Sequence, residues 1–148
     1  RAEYAARATR TTCPYPGIPE LLDALTRLDI PMAICSNKPQ EPLETLVASL
    51  LGRWRFAAVV GARPDLPRKP DPTGALGIAS TLSISPTHWL YLGDTDTDMG
   101  TARAAGMRAV GVLWGLRSAE ELLRAGAVRL LTHPRQALTE VSASGELA

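Results

Sequence analysis

Apolar residues in this chain gather into short runs separated by amphipathic stretches. Continuous runs cover Ile30 to Ser36, Phe56 to Ala62, Trp89 to Gly93, Ala109 to Trp114 and Val128 to Thr132. Each has the length of a strand and is bounded by turn-forming residues. Because the apolarity is continuous rather than alternating, both faces of these strands are expected to be covered. Between the runs, apolar positions recur at helical spacing, as in Leu21, Leu22, Leu25 and Leu28, then Leu43, Leu46, Val47, Leu50 and Leu51. This alternation of strand and helix predicts an α/β fold with a parallel, doubly wound sheet.

Capping residues sharpen the boundaries. Ser118-Ala119-Glu120-Glu121 is a capping box, and Gly126 follows as a stop, which predicts a helix from about Ala119 to Ala125. Asp71-Pro72 reads as an N-cap with proline at the first helical position, and His133-Pro134 opens the last helix in the same way. Gly52 and Gly106 are expected to end two further helices. Residues 1–12 hold no strand and look like a helix entering from elsewhere, and the tail from Ser142 is expected to fray.

Composition adds exclusions. The 148 residues are 45% apolar and 21% charged, which suits a globular domain with a sizeable core. Sixteen basic against fifteen acidic side chains leave a net charge of +1, with no stripe of Lys or Arg. Neither nucleic acid nor a membrane surface is therefore an expected partner. The amino end has no apolar signal region and no Met, so the expectation is a cytoplasmic chain that begins inside something longer. Cys13 and Cys35 have no metal-ligand or CxxC spacing, and Cys35 reads as an inward-packing strand residue. His88 and His133 are isolated from candidate partners and read as structural or solvated.

Ligands of open α/β sheets sit beyond the carboxyl ends of the strands, and three of those ends carry chemistry here. Ser36-Asn37-Lys38-Pro39 brings a hydroxyl, an amide and the free N–H groups of a helix start, a candidate phosphate cradle. The competing reading is that Ser36 or Asn37 merely caps the next helix. In Arg68-Lys69-Pro70-Asp71-Pro72, Lys69 is held on a stiff loop, where a fixed ammonium would stabilise charge in phosphoryl transfer; the alternative is a solvated surface lysine. Gly93-Asp94-Thr95-Asp96-Thr97-Asp98 concentrates carboxylates at a strand tip. Like charges so close favour a divalent cation, and hard oxygen ligands suit magnesium, against a bland alternative of N-capping by Asp94 or Asp96.

In this order, Ser36 at a strand end, Lys69-Pro70, then Gly93-Asp94 to Asp98, the chain resembles the haloacid dehalogenase superfamily. Cys13-Pro14-Tyr15-Pro16-Gly17, Cys35-Ser36-Asn37-Lys38-Pro39, Lys69-Pro70-Asp71-Pro72 and Gly111-Val112-Leu113-Trp114-Gly115 resemble its phosphoglycolate phosphatases, over about Tyr4 to Ala137. The resemblance implies a Rossmann-like, three-layer α/β/α core over residues 13–148, with residues 1–12 the remnant of a helical cap. It further implies magnesium and hydrolysis of a small phosphomonoester through an aspartyl-phosphate. By that match Ser36 and the Asn37 amide hold the phosphoryl group, Lys69 is catalytic in neutralising it and the nucleophile, Asp94 binds magnesium, and Asp98 holds a magnesium-bound water.

One part of the pattern is missing. The family's apolar strand followed by Asp-x-Asp-x-Thr, which carries the nucleophile, does not occur; Asp94-Thr95-Asp96 imitates it, but the helix and strand that follow are those of the last motif. In the family that strand lies between those ending in Ser36 and Asp94, so two edges should stand open. Marginal stability is expected, or a gap filled by water, a rearranged strand or another chain, including self-association through the open edges. The chain alone is expected to be inactive. The alternatives are a non-catalytic phosphate- or metal-binding module acting through a partner and, less favoured, a mutase or dehalogenase of the same superfamily.

Overall fold

A computed structural model describes residues 14–144. The expected cap remnant at 1–12, and Cys13, fall outside them. Along the chain run α1 (Ile18–Arg27), β1 (Ala33–Pro39), α2 (Gln40–Leu51), β2 (Ala58–Ala62), α3 (Thr73–Thr81), β3 (Leu90–Gly93), α4 (Asp96–Ala105), β4 (Arg108–Val112), α5 (Ala119–Arg124), β5 (Arg129–Leu131) and α6 (Gln136–Ser144). Every strand expected from the apolar runs is present, and every ladder is parallel.

Helices cover both faces. On one, Ile34 of β1 packs with Ile18, Leu22, Leu43 and Val47, while Val110 and Val112 of β4 pack with Leu21 and Ala137, so α1, α2 and α6 form one layer. On the other, Ala109 of β4 meets Ala75, Ala79, Met99, Ala102 and Leu122 of α3, α4 and α5. Period-two alternation sends Ala109 and Val110 to opposite faces, which explains the continuous apolarity of the run. Among the described residues no helix is long and apolar enough to cross a membrane.

Helix boundaries follow the capping signals with two shifts. Ser118 Oγ accepts from the Glu121 amide while the Glu121 side chain accepts from the Ser118 amide, closing the expected box. Gly106 ends α4 at φ 76°, a left-handed geometry open to glycine at little cost. Asp71, however, stands one residue outside α3: Pro72 is the N-cap, and Asp71 Oδ1 accepts from Thr73 N at 2.9 Å. The last helix begins at Gln136 rather than at Pro134: the residues between form a turn, with Gln136 N donating to His133 O and Ala137 N to Pro134 O, both at 3.0 Å, and Gln136 Oε1 accepts from the amides of Thr132 and His133 ahead of it.

The strands form two separate sheets among the described residues, β1–β2 and β3–β4–β5. Between the edges of β1 and β3 lies an apolar slot of about 180 Å³, lined by Ile34 and Cys35 of β1, Leu90 and Leu92 of β3, with Leu21 and Ile78 from the helix layers. It lies where the family's missing strand was expected. Apolar surface left open in this way gains nothing from burial and offers a seat for an apolar probe. The chain is accordingly expected to bind 8-anilinonaphthalene-1-sulfonate with enhanced emission while its far-ultraviolet circular dichroism stays native. A spectrum of the dye unchanged by the folded protein would show the slot to be closed.

Candidate functional site

The carboxyl ends of β1 and β3 and the loop after β2 converge beyond the sheet. Ser36 is buried near the end of β1, and its Oγ accepts from Lys38 N at 3.0 Å, leaving the hydroxyl proton free to donate. The strand continues through Pro39 and α2 begins only at Gln40, so the expected helix start directly after Ser36 is displaced. Neither Ser36 nor Asn37 caps α2, whose N-cap position is Pro39 with no side-chain bond. Asn37 instead reaches the lysine loop: its Nδ2 donates to Lys69 O at 3.2 Å and its Oδ1 accepts from Lys69 N at 2.9 Å.

Lys69 is not a solvated surface lysine. It is 7% exposed, and its Nζ donates to Asp98 Oδ1 at 2.6 Å and to Cys35 O at 3.2 Å. The Lys69–Pro70 peptide is cis. Asp98 in turn accepts from Asp94 N on its Oδ2 at 3.1 Å, so both of its carboxylate oxygens are engaged. Burial pushes the Asp98 carboxyl up, while the Lys69 ammonium and the bonds from Lys69 and the Asp94 amide pull it down, and the net direction is below the ordinary value. The Cys35 thiol, a free cysteine, is pushed up by burial.

Thr95, rather than Asp94 or Asp96, is the N-cap of α4, accepting from Asp98 N at 3.1 Å. That frees Asp94 for another arrangement. Asp94 is fully buried; its Oδ2 accepts from Leu116 N at 3.1 Å and its carbonyl from Arg117 N at 3.3 Å. Two glycines permit the approach, since a Cβ at Gly115 would overlap the Asp94 side chain and one at Gly93 would overlap Asp98. Asp94 Oδ1 is buried with no hydrogen-bond partner among the described residues. Asp96 stays at the surface, 3.6 Å from Arg117, and does not join the pair.

The donor set suits part of a cation site. A buried carboxylate oxygen without a donor is costly unless something positive meets it, and magnesium prefers such hard ligands. Among the described residues no group of three His, Cys, Asp or Glu side chains could close a site. Asp94 Oδ1 therefore fits magnesium as one ligand of an incomplete set, and Asp98 would have to share oxygens already used by Lys69 and the Asp94 amide. His133 lies in a turn, its Nδ1 accepting from Arg135 N, and His88 lines the apolar slot, so neither belongs to the crevice.

The sequence brought forward Ser36, Asn37, Lys69, Asp94 and Asp98 but not Thr95 as cap, nor the Leu116 and Arg117 amides that grip Asp94. Gly115 was the available signal, a glycine after an apolar strand marking a close backbone approach.

This geometry belongs with a known family. The chain matches the haloacid dehalogenase-like hydrolases over residues 1–112 and belongs to that family. It is 38% identical over 120 residues to the phosphoglycolate phosphatase of Xylella fastidiosa, covering 80% of this chain and 52% of that protein. To the Rhodospirillum rubrum phosphoglycolate phosphatase it is 34% identical over 127 residues, 86% of this chain and 52% of the relative. Among solved structures it superposes with a TM-score of 0.80 on a Lactobacillus delbrueckii protein provisionally named as a phosphoglycolate phosphatase. Identity there is 30%, over 86% of this chain and 53% of that one. The chain thus spans about half the length of the curated relatives it matches.

The Lys69–Asp98 pair predicts a pH dependence. A carboxyl whose folded pKa lies below its unfolded value, near 3.8, contributes stability fully present above that value and lost as pH falls through the folded one. Urea unfolding should show the parent losing stability below about pH 4 more steeply than Asp98→Asn. At neutral pH Asp98→Asn should be destabilised by about 3–5 kcal/mol, because it leaves the Lys69 ammonium buried without its counter-charge. Parallel acid limbs for the two proteins would show that the pair contributes nothing to folding.

Proposed function

We propose that these residues form the phosphate- and metal-binding part of a magnesium-dependent phosphatase for a small phosphomonoester, with phosphoglycolate the first substrate to try. The observation that carries this reading is Lys69, buried at a strand-end crevice and paired with Asp98, beside Asp94 with an unpartnered buried oxygen. A cation fixed in a site shielded from water stabilises the charge of a transferring phosphoryl group without reorganising. The names of the relatives support the substrate class.

The roles follow from the contacts. Ser36 donates its hydroxyl to the phosphoryl oxygens, with the Asn37 backbone N–H beside it, and Lys69 neutralises the group. Asp94 Oδ1 would hold magnesium, which when bound would supply further positive charge to the site. Asp98 orients Lys69 and the Asp94 amide. The attacking carboxylate is supplied by an apolar strand ending in Asp-x-Asp-x-Thr, which enters the slot between β1 and β3 and completes the sheet. Without it no residue among those described is poised to attack phosphorus, so by themselves they serve as a phosphate- or metal-binding module.

The purified 148-residue chain should show no magnesium-dependent release of phosphate from 2-phosphoglycolate. With the apolar strand of a relative restored ahead of it, turnover should appear; its failure to appear in a folded protein would remove the phosphatase assignment. In the restored enzyme Lys69→Ala should lose roughly 10²–10³ in rate, with no rescue by magnesium. Asp94→Asn should fall steeply and recover partly at high magnesium, because shape is kept and the ligand charge is lost. Ser36→Ala should be milder and show partly in KM, since its hydroxyl meets phosphate in ground and transition states alike. A magnesium titration of turnover separates the three, and near-parent rates for both Lys69→Ala and Asp94→Asn would refute the reading.

A further inference from the structure

We infer that the Asn37 side chain is a positioning residue for Lys69, not a phosphate ligand: its carboxamide docks the lysine loop on the end of β1 and so fixes where the ammonium points. The inference builds on the role given to Lys69 above and adds the group that sets its place.

The amide plane of Asn37 meets the peptide of Lys69 with one bond in each direction, Nδ2 to Lys69 O at 3.2 Å and Lys69 N to Oδ1 at 2.9 Å. A carboxamide offers donor and acceptor side by side, as a peptide does, so the pair reproduces a rung of sheet where no strand runs. Both faces of the carboxamide's polarity facing Lys69 are thereby used on the protein itself.

Among the described residues, this pair of bonds is what ties the Lys69 backbone to β1. Pro67, Arg68, Pro70 and Asp71 are exposed and Lys69 is the one buried residue among 67–71; Pro70 comes close to Gly100 of α4, a contact that does not reach β1. The remaining backbone tie of this stretch, Asp71 N to Arg68 O at 3.0 Å, lies within the loop and does not dock it on β1. The ammonium's own contacts, Cys35 O at 3.2 Å and Asp98 Oδ1 at 2.6 Å, lie at the far end of a flexible four-carbon stem. Only a fixed Lys69 backbone lets that stem reach both at once.

The chain contains two lysines, Lys38 and Lys69, which makes the test clean. Native protein is pulsed with a water-soluble acetylating reagent at constant pH, and acetylation at each lysine is read by mass spectrometry. Lys38, partly exposed and two residues from the end of the same strand's buried stretch, is the internal reference. In the parent Lys69 should label far more slowly than Lys38. In Asn37→Ala the Lys69-to-Lys38 ratio should rise by about tenfold, the factor expected from losing two ordinary hydrogen bonds that oppose local opening. Asn37→Asp keeps an acceptor for Lys69 N but sets a carboxylate oxygen against Lys69 O, so its ratio should lie between the two. A ratio unchanged in Asn37→Ala overturns the inference, as does an equal rise at both lysines, which would mean general loosening. Because labelling needs no turnover, its outcome is separate from that of the phosphatase assay.

Discussion

The contact between Lys69 Nζ and Asp98 Oδ1, 2.6 Å long and shut away from water, holds together parts of the chain that no ladder joins. Lys69 belongs to the loop after β2, and Asp98 to the first turn of the helix after β3. Each of these charges alone would be costly to bury, and their attraction exceeds that cost only when further hydrogen bonds complete both groups. Those bonds are present: Cys35 O for the ammonium, the Asp94 amide for the carboxylate. The pair therefore constrains its surroundings, since β1, the Lys69 loop and the β3–α4 turn must all keep their places for it to exist.

That constraint explains why the local rules of helix capping are displaced around it. An aspartate at the end of β3 would ordinarily cap α4, yet Thr95 does so, which leaves Asp94 to be gripped by the Leu116 and Arg117 amides. Ser36 and Asn37 would ordinarily cap α2, yet β1 runs on to Pro39, and Asn37 turns to the lysine loop instead. Residues with good alternative uses are held in a more demanding arrangement, as is common where binding chemistry is concentrated.

The strands and the layer order were legible because period and length report burial directly: Ile34, Val110 and Val112 lie in the core as their runs require. The capping box at Ser118 was equally plain, being a local motif whose partners lie three residues apart. Ser36, Lys69 and Asp94 could be singled out from strand ends and order. What local pattern does not carry is pairing at a distance. The Asn37–Lys69 clamp spans 32 positions and the Leu116–Asp94 bond 22, and neither leaves a periodic trace. The starts of α3 and α6 slipped for a smaller reason: orphan amides of a first turn can be met by groups other than an N-cap side chain, by Asp71 Oδ1 at Thr73 N and by the His133 and Pro134 carbonyls at Gln136 N and Ala137 N.

The two sheets also bear on how the molecule comes to be folded. β1 and β2 with α2 are drawn from one uninterrupted stretch, 33–62, and β3, β4 and β5 with α4 and α5 from another, 90–131. Each sheet closes through neighbours in sequence, with only a single helix to cross between partners, so loop-closure entropy is modest on either side. Between them, among the described residues, no ladder runs, and what spans the apolar slot is side-chain packing from the helix layers together with the Lys69–Asp98 pair.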